Sequence, residues 1–145
     1  MAGQISRRDF IGGLVGAGVA AGAGFWWLNR GGSDSTPGPE PGATVQLSQL
    51  PADVAARYRY VQSHQELAKH VPCYCGCGQA AGHRSLQDCF INTRGELDEH
   101  ASGCDICLEI ARDIEQYEAQ GADLPTIRSR VDASYRRYGA PTNTE

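Results

Sequence analysis

Apolar and polar residues divide the chain into regions of different character. Uncharged, mostly small or apolar residues fill Phe10–Leu28, whereas residues 31–42 contain no bulky apolar side chain and three prolines in five positions. A segment with nothing to bury stays extended or disordered. From Leu50 onward, apolar residues recur at the spacing of helix faces. We expect an apolar helix within residues 1–30, a disordered linker at 31–44, a folded domain at 45–140 and a frayed tail at 141–145.

The first helical signals of the domain follow Pro51. Apolar spacing predicts a helix over Ala52–Tyr60, since a buried stripe recurs every three or four residues. Its predicted apolar positions are Val54, Tyr58 and Val61. Ser63 and Glu66 form a capping-box pattern, which predicts a second, short helix that continues through His70.

Two longer helices are predicted in the second half of the chain. The first begins near Gly103 or Cys104 and ends before Gly121. Its apolar face consists of Cys107, Ile110, Ala111, Ile114 and Tyr117. Asp123 is expected to cap a last helix, which ends at Gly139. The buried stripe of this helix is predicted to be Ile127, Val131, Tyr135 and Tyr138.

The region Gly78–His100 is predicted to be rich in loops. Cys89-Phe90-Ile91 is expected to form a short helix or strand, and Thr93–Glu96 a turn. The pattern as a whole predicts one mainly α, small helical domain with a cysteine-rich central loop, preceded by the N-terminal helix and the disordered linker. A core of this size usually needs a metal or disulfides to hold it.

Composition and charge exclude several function classes. The 145-residue chain has a formal net charge of -4, with both signs mixed along the domain, so no basic patch is available to follow a phosphate backbone. Nucleic acid is therefore not an expected partner. No serine–histidine–acid, paired-carboxylate or phosphate-loop pattern stands out, so a binding protein is favoured over an enzyme.

The N-terminal segment carries an export signal. Ser6–Ile11 reads S-R-R-D-F-I, the form of a twin-arginine signal, and the apolar stretch follows it. Ala21-Gly22-Ala23 is a candidate cleavage site, but Phe25-Trp26-Trp27 is typical of a membrane interface, which favours a retained anchor. We expect the twin-arginine machinery as a partner, membrane attachment through Phe10–Leu28 if it is uncut, and an extracytoplasmic domain.

Three cysteines alternate in the run Cys73–Gly78. Alternate side chains of an extended backbone share one side, and Gly76 and Gly78 allow the chain to curl until the sulfurs converge. Cys104 and Cys107 stand three apart at a predicted helix start, where the helix dipole lowers the pKa of a thiol. We expect both groups to supply thiolates to a shared site.

Further donors surround these two groups. His83 and Cys89 lie between them in the sequence, and His100 lies four residues before Cys104. His70, just before the first group, is an additional candidate. The predicted metal ligands are Cys73, Cys75, Cys77, Cys89, Cys104, Cys107, His83 and His100.

The cysteine spacing excludes one kind of metal site and disfavours two others. Leu108 follows the Cys104–Cys107 pair where c-type haem attachment requires a histidine, so haem c is excluded. The alternate cysteines depart from the spacing of ordinary zinc knuckles and of ferredoxin clusters. Closely spaced soft thiolates suit Cu(I), since two or three sulfurs suffice for it, and copper therefore ranks ahead of zinc.

The favoured function is an extracytoplasmic protein that holds this thiophilic ion for delivery, storage or sequestration, with a metal-donor or acceptor protein as partner. Two alternatives stay open. Cys104 and Cys107 have the spacing of a thioredoxin-like pair, which indicates an extracytoplasmic thiol–disulfide redox protein. An even count of six cysteines also permits three disulfides that staple an interaction module.

Several segments resemble one bacterial family, defined by a PCYCGC motif, from about Leu50 to the C-terminus. They are Val71–Gly78, Gly82-His83-Arg84, Asp88-Cys89-Phe90, His100, Gly103–Leu108, Ile127-Arg128, Val131-Asp132 and Tyr135. The resemblance implies a small exported or lipid-anchored protein and carries no established activity. Relatives with selenocysteine in the motif imply chemistry with soft metals or redox partners, whereas this chain has cysteine at every such position.

Overall fold

A computed structural model of the chain describes residues 42–144. The predicted signal or anchor helix, nearly all of the predicted linker and residue 145 lie outside the described residues. Within residues 42–144 the fold is mainly helical and has no strand, only two isolated β-bridges. The helices are α1 (Ala52–Ser63), α2 (Gln65–Lys69), α3 (Cys77–Ala80), α4 (Leu86–Phe90), α5 (Asp105–Ala119) and α6 (Leu124–Tyr135), with 3-10 turns at Leu47–Gln49 and His100–Gly103.

Helix α5 packs against both α1 and α6 and forms the centre of the domain. Four of the five residues predicted to form its apolar face are fully buried, which confirms the helical spacing; they are Cys107, Ile110, Ala111 and Ile114. Asp123 caps α6 as predicted, because its Oδ1 accepts a hydrogen bond from the Thr126 backbone N–H at 3.0 Å. Among the described residues, no helix combines the length and apolar character that crossing a membrane requires.

Tyr58 connects the helical core to the segment that leads into α5. Its ring is fully buried and meets Phe90 edge to face, with the ring centroids 4.9 Å apart. Its hydroxyl donates a hydrogen bond to the Asp98 carbonyl at 2.6 Å. Asp98 Oδ1 in turn accepts a hydrogen bond from the His100 backbone N–H at 2.8 Å. The core therefore fixes the position of His100.

Two predictions at helix ends are wrong. The Ser63 hydroxyl does not cap α2, because it donates instead to the Arg59 and Tyr60 carbonyls in the last turn of α1. Tyr138 is not part of the buried stripe of α6: the helix ends at Tyr135, and the Tyr138 side chain is 48% exposed.

The region between Gly78 and His100 has more structure than the predicted loops. It completes α3 and contains α4. Cys89 and Phe90 belong to α4, whereas Ile91 follows the helix and forms a β-bridge with Leu97. The predicted turn is present, with Gly95 at a φ of 77°. Thr44, assigned to the linker from sequence, forms a bridge with Asp98, so the folded part begins slightly earlier than expected.

The segment predicted to fray is tied to the motif loop. Thr142 is buried, and its backbone N–H donates to the Cys73 carbonyl at 2.9 Å. The Cys73 backbone N–H donates back to the Thr142 hydroxyl, also at 2.9 Å. Gly139 passes so close to this loop that a Cβ there would lie 3.1 Å from the Tyr74 carbonyl oxygen. The expected fraying of residues 141–145 is therefore wrong for the described part of that segment.

We predict that Thr142→Val lowers the free energy of unfolding by about 1–3 kcal/mol, because it leaves the buried Cys73 N–H without an acceptor. Urea denaturation monitored by circular dichroism measures the change. Thr142→Ser, which keeps the hydroxyl, is the matched control and should lose much less. A larger loss in Thr142→Ser than in Thr142→Val would show that the methyl packing of Thr142, and not its hydrogen bond, holds the loop.

Candidate metal centre

The eight donor residues predicted from the sequence come together at one place in the fold. Their potential ligand atoms form four overlapping groups, and within each group all atoms lie within 4.8 Å of one another. Every member is buried or half-buried. Soft and borderline metal ions prefer such sets of thiols and imidazoles. His64 and His70 belong to none of the donor groups that residues 42–144 form.

The motif loop supplies the first three sulfurs. Cys73, Cys75 and Cys77 form one of the four groups, which confirms that their sulfurs converge. The loop turns at Gly76, whose φ of 84° lies in the left-handed region that glycine adopts without strain. Gly78 acts differently from what was expected, through close packing: a Cβ there would lie 3.2 Å from the Thr142 methyl group.

The start of α5 organises a four-residue group that we call the Cys104 subsite. Its members are Cys75, His100, Cys104 and Cys107. Cys104 is the N-cap residue of α5 and Cys107 lies in its first turn, while His100 begins the preceding 3-10 turn. Cys75 reaches this group from the motif loop, with its Sγ 3.7 Å from Cys107 Sγ and 3.8 Å from His100 Nε2.

Helices α3 and α4 organise a second four-residue group, the Cys89 subsite. Its members are Cys77, His83, Cys89 and His100. Cys77 is the first residue of α3, and its Sγ lies 3.4 Å from the Sγ of Cys89 in α4. The rings of His83 and His100 meet edge to face with their centroids 4.7 Å apart. His83 also lines a surface cavity of about 480 Å³.

The cysteine side chains are thiols rather than disulfides. All six are free, and the closest sulfur pairs are 3.4 Å apart, compared with about 2.05 Å in a disulfide. A metal–sulfur bond of about 2.3 Å places two sulfurs of one tetrahedral ion about 3.8 Å apart, close to the observed spacing. Among the described residues no disulfide is formed, and the spacing of the sulfurs fits a metal site.

Crowding of the thiols changes their acidity in opposite directions. A hydrogen bond with Cys107 lowers the pKa of the Cys73 thiol to about 4. Hydrogen bonds from Cys104 and Cys107 hold the pKa of Cys75 far below its usual range. Hydrogen bonding with Cys104 and Cys73, together with burial, raises the pKa of Cys107 far above it.

This distribution corrects the expectation for the start of α5. The dipole of α5 does not dominate there, because the pKa of Cys107 is raised rather than lowered. The pKa of Cys104 is also raised: the lowering effect of its hydrogen bond with Cys107 is outweighed by the hydrogen bond with Cys75 and by burial. A coordinated metal ion would reverse these shifts, since it deprotonates a thiol outright.

The two histidines differ in charge preference. Burial lowers the pKa of His83, which favours the neutral imidazole that can bind a metal. The hydrogen bond with Cys75 raises the pKa of His100. His83 Nδ1 is buried and has no hydrogen-bond partner, the one such side-chain nitrogen or oxygen found in residues 42–144. A buried polar atom of this kind normally has a partner.

Two residues that support the site were missed from the sequence. Thr142 fixes the Cys73 backbone, and Asp98 fixes the His100 backbone. Neither carried a usable signal, since Thr142 stands in a short polar segment and Asp98 is one of several acidic residues. The Thr142 contact joins segments that are distant in the sequence. The Asp98 contact is local, but Asp98 is itself held by Tyr58 of the core.

Comparison with known proteins places this site in a family. The model of a family described as "Protein of unknown function with PCYCGC motif" matches residues 42–145, which include every donor and the Thr142 contact. No curated protein and no solved structure matches the chain. The matched region agrees with the resemblance inferred from the motif segments.

We predict that Gly76→Ala lowers the free energy of unfolding by about 1–2 kcal/mol, because a Cβ is disfavoured in the left-handed conformation. It should also weaken metal binding, since the turn sets the positions of Cys75 and Cys77. Thermal unfolding and metal titration measure the two effects. Gly103→Ala is the matched control, because a Cβ there has no atom within 4 Å and φ is not positive. Equal behaviour of both variants would contradict this role of Gly76.

Proposed function

We propose that the chain, which belongs to the PCYCGC-motif family, binds a thiophilic metal ion through its cysteine–histidine cluster. The observation that supports this most is the convergence of six cysteines and two histidines in overlapping donor groups. Thiolate and imidazole together are the donors that Cu(I) and Zn(II) take in proteins. Binding, rather than catalysis, is the proposed activity.

Cu(I) is the favoured ion and Zn(II) is the alternative. The sulfurs of Cys73, Cys75 and Cys107 lie 3.4, 3.5 and 3.7 Å apart, which supports a three-thiolate site of the kind that Cu(I) accepts. The Cys104 subsite offers three cysteines and one histidine, a donor set that is also common for zinc. The softness of the clustered thiolates places copper first.

The burial of the donors supports transport or storage rather than a purely structural role. Cys75, Cys104 and His100 are half-buried, whereas Cys73 and Cys107 are fully enclosed. An ion held partly at the surface can exchange with the thiols of a donor or acceptor protein, while the enclosed sulfurs retain it. Delivery, storage or sequestration of the ion is therefore the proposed task.

We also propose that this task is performed outside the cytoplasm, after export by the twin-arginine machinery. The support is the S-R-R-D-F-I run at Ser6–Ile11. This route carries folded chains, so the ion could be bound in the reducing cytoplasm before the thiols meet an oxidant. Phe10–Leu28 would then hold the domain at the membrane if it is not cleaved.

We predict that the full-length chain, purified without a histidine tag under anaerobic conditions, contains at least one equivalent of copper or zinc. Metal analysis and thiol titration on the same sample measure this. The thiols should resist a thiol reagent until a chelator removes the ion, because coordination occupies the sulfurs. A metal-free protein with six oxidised cysteines would sink the proposal. One labile disulfide that exchanges with a thiol substrate would favour redox activity instead.

Two histidine variants, one inside the donor groups and one outside them, test the site by a matched comparison of Cu(I) affinity. His100→Ala removes a donor that belongs to both subsites and should weaken affinity for Cu(I) by at least about tenfold. Competition with a chromogenic Cu(I) chelator measures the affinity. His64→Ala is the control, because His64 is half-buried but stacks on Tyr60 away from the donor groups. Equal affinities of the two variants would remove His100 from the site.

We predict that replacing Arg7 and Arg8 together by lysine keeps the protein in the cytoplasm, because the twin-arginine machinery recognises the arginine pair. Cell fractionation with detection of the chain measures the distribution. Arg30→Lys is the control, since it makes the same chemical change outside the motif and should leave export unaffected. Undiminished export of the Arg7 and Arg8 double variant would refute this route.

A further inference from the structure

We infer that the cluster holds two metal ions, one in the Cys104 subsite and one in the Cys89 subsite, with the Cys73 thiolate as a bridge between them. This inference rests on the proposed metal binding and specifies how the donors are divided. It follows from the grouping of the donors, from the position of Cys73 and from the environment of His83.

The number and arrangement of donors exceed what one ion uses. Soft and borderline ions in proteins are bound by up to about four ligands, and each subsite alone provides four. The two subsites share His100 and no other residue. Cys104 and His83 occur together in none of the donor groups found in residues 42–144. One ion therefore leaves several close-packed donors unused.

Cys73 lies between the two subsites. Its Sγ is 3.4 Å from that of Cys75 and 3.5 Å from that of Cys107, which are both members of the Cys104 subsite. It also lies within 4.8 Å of the Cys77 and Cys89 sulfurs, which belong to the Cys89 subsite. Cys73 belongs to neither four-residue set. A thiolate has several lone pairs, so a sulfur in this position can bind one ion on each side.

The environment of His83 independently supports a ligand in the Cys89 subsite. Its Nδ1 is buried without a hydrogen-bond partner, an arrangement that costs stability unless something binds there. The Cys104 subsite does not contain His83, so an ion placed only in that subsite leaves this nitrogen unsatisfied. An ion bound by Cys77, Cys89 and His83 removes the penalty.

Charge also favours a second cation. The cluster brings six cysteines into a largely buried centre, and buried charges are tolerated only when they are compensated. One divalent ion offsets the charge of two thiolates, and one Cu(I) offsets one. A second ion allows more of the cysteines to bind as thiolates without an uncompensated buried charge.

The test is a stoichiometry measurement on the reduced, metal-free full-length chain, without a histidine tag. The chain is titrated with Cu(I) and, separately, with Zn(II), and native mass spectrometry counts the bound ions. Two ions per chain are expected for at least one of the metals. Cys104→Ser and His83→Ala should each retain one ion at a chelator concentration at which the unmodified chain retains two, because each alters a different subsite.

Cys73→Ser tests the bridge. X-ray absorption spectroscopy of the two-ion form is expected to show metal–metal scattering, and this signal should disappear in Cys73→Ser. His64→Ala is the control and should keep two ions. Far-ultraviolet circular dichroism verifies that each variant is folded before its ions are counted.

The outcomes separate this inference from the proposed function. One ion per unmodified chain overturns the two-ion inference but leaves metal binding in place. Loss of both ions in both single variants also overturns it, since the subsites would then not be separate. Two ions without metal–metal scattering overturn the bridge. No bound ion with either metal overturns the proposed function itself.

Discussion

Six thiols and two imidazoles occupy one largely buried centre, and their electrostatic interaction is the constraint on which the rest of the structure depends. Thiolates packed at 3.4 to 3.7 Å repel one another, so either protons or cations must be present among them. The opposite pKa shifts of Cys75 and Cys107 express this competition. A metal ion bound there would replace the protons and attract all the donors to a common centre.

The site and the hydrophobic core are the same region of this small domain. Cys73, Cys77, Cys89 and Cys107 are buried within the cluster of core side chains that includes Tyr58 and Phe90. The face of α5 that packs the core also carries Cys107, one of the candidate ligands. Folding therefore brings the donors together, and a bound metal ion would add to the free energy of folding. A domain of about 100 residues would gain stability from a bound ion, since the apolar area that its core buries is limited.

Local features of the fold were predictable from the sequence, and features that depend on distant contacts were not. The buried face of α5 follows from the apolar spacing within that helix. The Asp123 cap follows from side-chain chemistry at the start of α6. Ser63 was misassigned because two carbonyl groups of the preceding helix compete for its hydroxyl. The candidate donors could be selected by residue type, but their grouping in space and the contact with Thr142 arise only when separate elements pack together.

The pairing of Cys73 with Thr142 has a consequence for the order of events during synthesis. The two residues are 69 positions apart, so the motif loop leaves the ribosome well before its partner does. Once Cys107 has also emerged, all the donors are outside, yet the backbone that orients Cys73 is not held until Thr142 follows. An ion captured early would meet a loose set of thiols, and a nascent chain is therefore open to the wrong metal until Thr142 docks. The cellular supply of ions in that interval, as well as the affinity of the finished site, would decide which metal the protein carries.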